Sequence, residues 1–323
     1  MTASDPLLVL TDADVSRLPL DVGSVRAAVH DAFRLYSQGR VRCQDKSSIA
    51  IAPGHAFQSL LAVDTQRNYA ALKWVGMVPP GGAAKVNINA SLLLSDVQTG
   101  ELRCLMDARR ATALRTAGMT AVAAQYLARK DSASIGFVGA GVQAESHLHA
   151  LADILPALRL VRVNSAPAAS ADKFAEKCRV AGFEAMVCSA EDAVSQSDVV
   201  VTTVPLAPNF VPFIDPAWIG PGAFVAAIDL GRSWIHDGLS QADLTIVDEN
   251  AMKHYAKPGN FIPALEHAEA SLADLVGGQH PGRATRDQRV MLFSSGSAVG
   301  DLAIATLIYE RAMATGAGKQ LDF

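Results

Sequence analysis

The stretch from residue 134 to 151, SIGFVGAGVQAESHLHAL, constrains this chain more than any other. An apolar run of strand length meets Gly139 and Gly141, and a helix-forming segment follows at once. The first glycine lets the backbone turn sharply at the strand end. The second lets the chain come close to a ligand, and the small Ala144 lets the helix pack near the strand. Amide groups at the start of that helix then face an anion, and for this kind of turn the anion is a pyrophosphate. A lone G-x-G-x-x-G/A says little, but here the strand–turn–helix context agrees with it. The segment therefore predicts a dinucleotide loop made of Gly139, Ala140, Gly141, Val142 and Gln143, with a purely structural tight turn as the rival reading.

The flanking pattern points the same way. After Ser134, short apolar runs alternate with helical segments: SIGFVGAG, LRLVRVNS, EAMVCS, DVVVTTVP, AFVAAIDL, DLTIVDE and VMLFSS. Continuous apolar strands separated by helices read as a Rossmann-type doubly wound parallel sheet. The second strand brings Asn164 and Ser165 to the adenosine ribose, where a carboxylate selects the free 2′-hydroxyl. Neither a carboxylate nor a following arginine stands there, so NAD(H) and NADP(H) both remain open, and flavin is a lesser alternative.

The first hundred residues have another texture. Asp21 or Ser24 can cap a helix through VRAAVHDAFRLYSQG, with Val25, Val29, Phe33 and Tyr36 as its apolar stripe and Gly39 at its end. SSIAIA, FQSLLAV, YAALKWVGM, VNINASLLLSD and ELRCLMD then read as strands of a curved, antiparallel-looking sheet. Asp96 to Gly100 forms the turn between the last two. ARRATALRTAGMTAVAAQYLARK is alanine-rich and free of proline, so it predicts one long helix. The closing AVGDLAIATLIYERAMATG predicts a helix that packs back on the first domain. The expected architecture is α/β: a Rossmann domain over 118–298 and a discontinuous α+β dimerisation and substrate domain over 1–117 and 299–323.

Composition removes whole classes. Among 323 residues, 50% are hydrophobic and 19% charged, which suits a packed chain rather than a disordered one. A formal charge of −4 offers no basic surface for nucleic acid or anionic lipid. No apolar stretch reaches the roughly 18 to 20 residues of a bilayer span, and MTASDPLLVL has no basic n-region of a secretory signal. Cys43, Cys104, Cys178 and Cys188 are scattered, which predicts reduced thiols in a cytoplasmic protein. His147 and His149, two apart on a helix, cannot chelate together, and no other spacing predicts a metal. Ser294-Ser295-Gly-Ser297 is not a nucleophile elbow.

A larger set of segments resembles the ornithine cyclodeaminase/μ-crystallin family over nearly the whole chain. They are Thr112-Ala-Leu-Arg-Thr-Ala-Gly118 followed by AAQYLARKD and IGFVGAGVQA, the Lys73 strand ALKWVG, LLLSDVQTGELRCLMD, the strand ending in Asp229, and GSAVGDLAIATLIYERA. The resemblance implies a homodimer whose non-Rossmann parts pair into a shared barrel, a bound NAD(H) or NADP(H), and chemistry at the α-carbon of an amino, imino or keto acid. By position it implies that Lys73 and Arg115 hold the substrate carboxylate, with Lys46 as a further cation and Arg42 its rival. It implies Asp229, together with Lys73, as the catalytic groups, the aspartate acting as acid/base. Asn87, Thr116, Thr203, Val204, Ser294 and Ser295 fall where family members contact the cofactor.

The bland alternatives are a solvent-facing Lys73, an exposed salt-bridged Arg115, and an Asp229 that merely caps a turn. One departure bears on the reaction: cyclodeaminases follow the aspartate with Pro-Gly-Lys, whereas here the sequence is Asp229-Leu-Gly-Arg-Ser-Trp-Ile, with Arg232 as the nearest substitute charge. The leading expectation is an NAD(P)H-dependent imine reductase or amino-acid dehydrogenase. An ornithine cyclodeaminase using catalytic NAD, and a non-catalytic crystallin-like cofactor binder, are the alternatives.

Overall fold

The computed structural model describes residues 6–52, 54–78, 88–205, 210–239, 242–249 and 263–322. In chain order the elements are β1 (Leu7–Leu10), α1 (Asp12–Arg17), α2 (Val22–Ser37), β2 (Val41–Cys43), β3 (Ser47–Ala52), β4 (His55–Asp64), β5 (Tyr69–Met77), β6 (Ile88–Asp96), β7 (Leu102–Asp107) and α3 (Arg109–Leu127). Then come β8 (Ser134–Val138), α4 (Val142–Ala152), β9 (Leu160–Asn164), α5 (Ala168–Val180), β10 (Glu184–Val187), α6 (Ala190–Ser195), β11 (Val199–Thr202), β12 (Phe224–Ala227) and β13 (Leu244–Val247). β14 (Ala270–Ser271), α7 (Leu272–Val276), β15 (Val290–Phe293), α8 (Ala298–Thr315) and β16 (Lys319–Leu321) complete the described chain. Two compact units result, one of Met1–Gly118 with Gly296–Phe323, the other Met119–Ser295. None of the described helices is long and apolar enough to cross a membrane.

The first unit is built on one sheet, ordered β16-β1-β7-β6-β5-β4-β2, with β3 also paired to β4. The hairpins from β3 to β7 are antiparallel, as their alternating pattern and tight turns dictate. The Asp96 carboxylate accepts from the amides of Gln98 and Thr99, which closes the β6–β7 turn. β1 pairs in parallel with β7, and β16 adds antiparallel to β1, so the two ends of the chain meet in one sheet. Helix α2 is capped by Asp21, which accepts from the Ser24 amide at 2.8 Å. It buries Val25, Val29 and Phe33, with Leu35 fully buried and Tyr36 only half so. Helix α8, apolar on nearly every side, packs across β4, β5 and β6 and against α2.

The second unit is a parallel sheet in the order β10-β9-β8-β11-β12-β15-β13-β14. Strands β11, β12, β13 and β15 are buried along their whole length, which explains why they are almost wholly apolar, with Thr202 and Thr245 the polar residues among them. The order reverses at β8, with β9 on one side and β11 on the other. The loops beyond the carboxyl ends of these two strands frame the crevice where doubly wound sheets take their ligands.

Candidate functional site

At the carboxyl end of β8 the chain turns through Gly139 at φ 101°. A side chain there would meet Thr203 Oγ1 at 2.6 Å and the Thr203 backbone at 2.9 Å, so both backbone angle and space demand glycine. The Gly139 amide donates to the Asn164 carbonyl at 2.8 Å, and the Thr203 hydroxyl donates to the Gly139 carbonyl at 3.2 Å. Gly139, Asn164 and Thr203 are thereby tied into one rim, with Ser165 half-buried next to Asn164 and Val204 next to Thr203.

Gly141 caps α4, and no side chain closes that helix end. A Cβ on Gly141 would meet nothing within 4 Å, and Val142 beside it is exposed. The first amides of α4 thus open onto free space, the arrangement that receives a phosphate. Glu145, the acid in the first turn, is drawn aside into an ion pair with Lys177 at 2.6 Å. The Gln143 Oε1 is buried without a hydrogen-bond partner among the described residues. Open amides, a glycine-only approach and a spare acceptor fit a dinucleotide. His147, fully buried on α4, holds this end of the helix: Nδ1 lies 2.7 Å from the Gln143 carbonyl and Nε2 3.0 Å from the Thr120 hydroxyl. Burial drops its pKa to about 4, so the ring is neutral and structural.

Asp229 follows β12 by two residues and is only 2% exposed. Its Oδ1 accepts from the Thr202 hydroxyl at 2.9 Å and the Gly231 amide at 3.1 Å, and its Oδ2 from the Ser233 hydroxyl at 2.6 Å. Trp234, fully buried, donates to the same Thr202 hydroxyl at 3.3 Å. Leu230 takes a φ of 64° in the turn that brings these donors round. Arg232 is half-buried; loss of solvent lowers its pKa, while the Asp229 charge opposes that shift. Ser294 and Ser295, just past β15, both donate to Asp248 Oδ2 at 2.9 Å, the first through its hydroxyl and the second through its amide.

In the first unit, Lys73 lies on the buried face of β5 with Ala71 and Val75, and it is 3% exposed. Arg115, on α3, is 4% exposed. Both reach the same atom: Lys73 Nζ donates to Asp301 Oδ1 at 2.8 Å, and Arg115 Nε lies 2.8 Å from that oxygen. Asp301 sits in the first turn of α8, where the helix N-terminus favours a negative charge. Ser297 caps that turn through the amides of Val299 and Gly300. Gly296, at φ 86°, lays its backbone on the guanidinium; a Cβ there would meet Arg115 Nη2 at 2.9 Å. Burial, then repulsion from Arg115, drop the Lys73 pKa to about 7 against the pull of Asp301, with Lys46 adding a smaller repulsion. Lys46, half-buried between β2 and β3, is thus electrostatically part of this group, whereas Arg42 is exposed on β2. Thr116 neighbours Arg115 on α3 and donates its hydroxyl to the Thr112 carbonyl at 2.7 Å. Asn87 lies outside the described residues.

Sequence reasoning missed Asp301 as a site residue, although the closing segment that contains it was recognised. The available signal was a single acid in an otherwise uncharged apolar stretch, AVGDLAIATLI. An ionised group in such a setting must find partners, and here it finds two cations.

Comparison with known proteins follows this geometry. The profile of the family described as "Ornithine cyclodeaminase/mu-crystallin family" matches residues 7–316. The alanine dehydrogenase of Archaeoglobus fulgidus is 30% identical over 327 residues, covering 98% of each chain. Among solved structures, an archaeal alanine dehydrogenase dimer with bound NAD has a TM-score of 0.88 at 28% identity, covering 98% of this chain and 99% of that one. The Delta(1)-pyrroline-2-carboxylate reductase of Thermococcus litoralis, solved with NADH and L-proline, has a TM-score of 0.85 at 26% identity and covers 97% of this chain and 99% of its own. A family profile spanning almost every residue, together with a full-length relative, establishes that the chain belongs to the ornithine cyclodeaminase/mu-crystallin family.

Proposed function

We propose that this chain is an NAD(P)H-dependent oxidoreductase that reduces an imino acid, as a ketimine reductase or amino-acid dehydrogenase. The observation that carries the reading is the buried pair Lys73 and Arg115 on one carboxylate oxygen, two cations kept from water around a single acid, which leaves positive charge for an anionic ligand. A small acid presents such an anion, and charge-assisted bonds from an amine and a guanidinium fix its orientation. Lys46 adds a third positive charge nearby. In the second unit, the turn Gly139 to Gln143, with Asn164, Ser165, Thr203 and Val204 around it, holds the dinucleotide, and Ser294 and Ser295 flank the nicotinamide. Asn87 and Thr116 complete the assignment to the cofactor. When bound, the reduced nicotinamide supplies the hydride that the imine carbon accepts.

Asp229 enters this reading as a fixed anion that stabilises positive charge on the substrate nitrogen and exchanges a proton with it. Its three hydrogen bonds hold the carboxylate in place. Asp229→Asn is a clean test because the amide preserves the loop: its oxygen accepts from Gly231 and Thr202, and its nitrogen donates to the Ser233 oxygen. We expect kcat to fall by about a hundredfold or more with cofactor affinity and melting temperature nearly unchanged. An unaltered kcat removes Asp229 from the chemistry and leaves it as the anchor of its turn.

The reaction is tested by incubating the protein with NADH or NADPH and a panel of 2-keto acids with ammonia or methylamine, plus cyclic imines. Steady loss of reduced-cofactor absorbance supports the reductase. Release of ammonia from ornithine without net cofactor consumption means a cyclodeaminase instead, and tight cofactor binding with neither outcome means a binding protein. The Asp229-Leu-Gly-Arg turn, lacking the lysine of the cyclodeaminases it resembles, favours reduction.

A homodimer belongs to the same proposal. Ile49, Ile51, Trp74 and Ile88 are between 50% and 70% exposed on the first unit, and Trp74 stacks on Phe57 at 5.6 Å. An apolar patch of this kind asks for a cover, and the archaeal alanine dehydrogenase similar to this chain is described as a dimer. Sedimentation at twice the chain mass is the expected result. A cytoplasmic setting, in which scattered cysteines stay reduced, belongs to the same reading.

A further inference from the structure

Asp301 belongs to neither the nucleotide loop nor the set of cations, yet Lys73 and Arg115 both reach its Oδ1. The three residues come from β5, α3 and α8, so nothing local in the chain brings them together. Each is buried. Two cations held within two hydrogen-bond lengths of one another repel, and in a dry setting the amine can relieve that repulsion by giving up its proton, whereas the guanidinium cannot. An anion between them removes the incentive. It also fixes where both nitrogens lie, because one oxygen accepts from Nζ and faces Nε at the same 2.8 Å.

If Lys73 and Arg115 clamp a substrate carboxylate, as proposed above, then Asp301 governs that clamp. We propose that Asp301 is the positioning residue of the anion site: its Oδ1 ties Lys73 to Arg115 and favours the charged form of the Lys73 amine for the incoming acid. Gly296 assists by leaving no side chain where a Cβ would meet the guanidinium. The charged groups facing Lys73 are Arg115 from α3, Asp301 from α8 and Lys46 from the segment before β3, two of them opposing its charge and one supporting it. With the supporting one gone, only opposition remains. The second oxygen, Oδ2, is buried with no hydrogen-bond partner among the described residues, so Asp301 retains an acceptor for a water or for a donor on the ligand.

The test is a titration of Lys73 itself in the ligand-free protein. Lysines carry 13C at Cε, and the Lys73 resonance is assigned by its absence from Lys73→Met. The wild-type midpoint is expected near 7, and in Asp301→Asn it should fall by at least about one pH unit, because an anion that stabilised the charged amine is gone. Binding of 2-keto acids, from pyruvate to 2-oxoglutarate, measured by calorimetry with cofactor present, should weaken about tenfold or more in the same variant at pH 7. A folded Asp301→Asn protein whose Lys73 midpoint does not move overturns the proposal, whatever binding does. If wild type titrates as expected, Asp301→Asn shifts it, and no keto acid binds to either, the link from Asp301 to Lys73 is upheld and the clamp reading alone fails. Should Asp301→Asn not fold, Asp301→Glu carries the test. It retains the charge but displaces it by one methylene, so the midpoint should stay and keto-acid affinity should drop; unchanged affinity overturns the positioning role.

Discussion

Arg115→Met should lower kcat/KM by about two to four orders of magnitude and also lower the melting temperature by several degrees. Removing one partner of a buried ion pair typically costs about 3 to 5 kcal/mol, much of it the penalty of the charge left behind. Here the charge left behind is Asp301, buried on α8 with Lys73 as its remaining ion-pair partner among the described residues. The loss of stability separates this site from a simple exposed clamp, in which substrate binding would fail while the fold stayed intact. A double variant sharpens the point. Arg115→Met with Asp301→Asn removes both charges, so stability should return toward wild type while activity does not. Arg115→Lys keeps the charge but loses the planar fork that spans Asp301 and Gly296, and it should recover stability more than kcat/KM. Thermal melting and steady-state kinetics on the four proteins decide the matter. Single-variant stability equal to wild type would mean that Asp301 is satisfied elsewhere.

The pH dependence follows from Lys73. In the free protein its pKa is depressed to about 7, so Lys73 is charged below that pH and loses its charge above it. If the protonated amine holds the substrate, kcat/KM declines about tenfold per pH unit on the alkaline side of 7. A bound carboxylate adds an opposing charge beside the amine and raises its pKa, so the alkaline limb of kcat should lie at higher pH than that of kcat/KM. Stability moves in the opposite sense. A lysine whose folded pKa lies below its unfolded value of about 10.4 binds more protons when unfolded, so its penalty on the fold is complete below about 7 and is relieved as pH rises toward 10. The slope from this group is at most about 1.4 kcal/mol per pH unit. Lys73→Met should abolish that slope and cost far less stability than Arg115→Met, since it removes a charge the interior disfavours. A melting temperature with the same pH dependence in Lys73→Met and wild type would refute this account.

Much of the second unit was legible because its information is local. The loop at Gly139 is written in consecutive residues, and the position demands a positive φ that glycine supplies. The buried parallel strands announced themselves as unbroken apolar runs, since both faces are covered. Resemblance located Lys73, Arg115 and Asp229, and the structure buries all three rather than leaving any on a polar surface. The hydrogen bond from Thr202 to Asp229 was not foreseeable, because Thr202 lies 27 residues away in the chain. Nor was the parallel pairing of β1 with β7, or the return of β16 to β1, which joins segments at opposite ends of the chain.

By itself, then, the amino-acid order indicated most of the strands and helices, though not β1, α1, β2, β14 or β16, where the glycine turn after β8 falls, and which basic residues were candidates for an anion. Period, turn chemistry and glycine placement act over a few residues, and they are visible one residue after another. Tertiary structure decided the electrostatics. Asp301 stands 228 positions from Lys73, and only the packing of α8 across β5 brings its carboxylate to 2.8 Å from the amine. Interaction energies between charges depend on distance and on the exclusion of water, and neither quantity exists until the chain has folded.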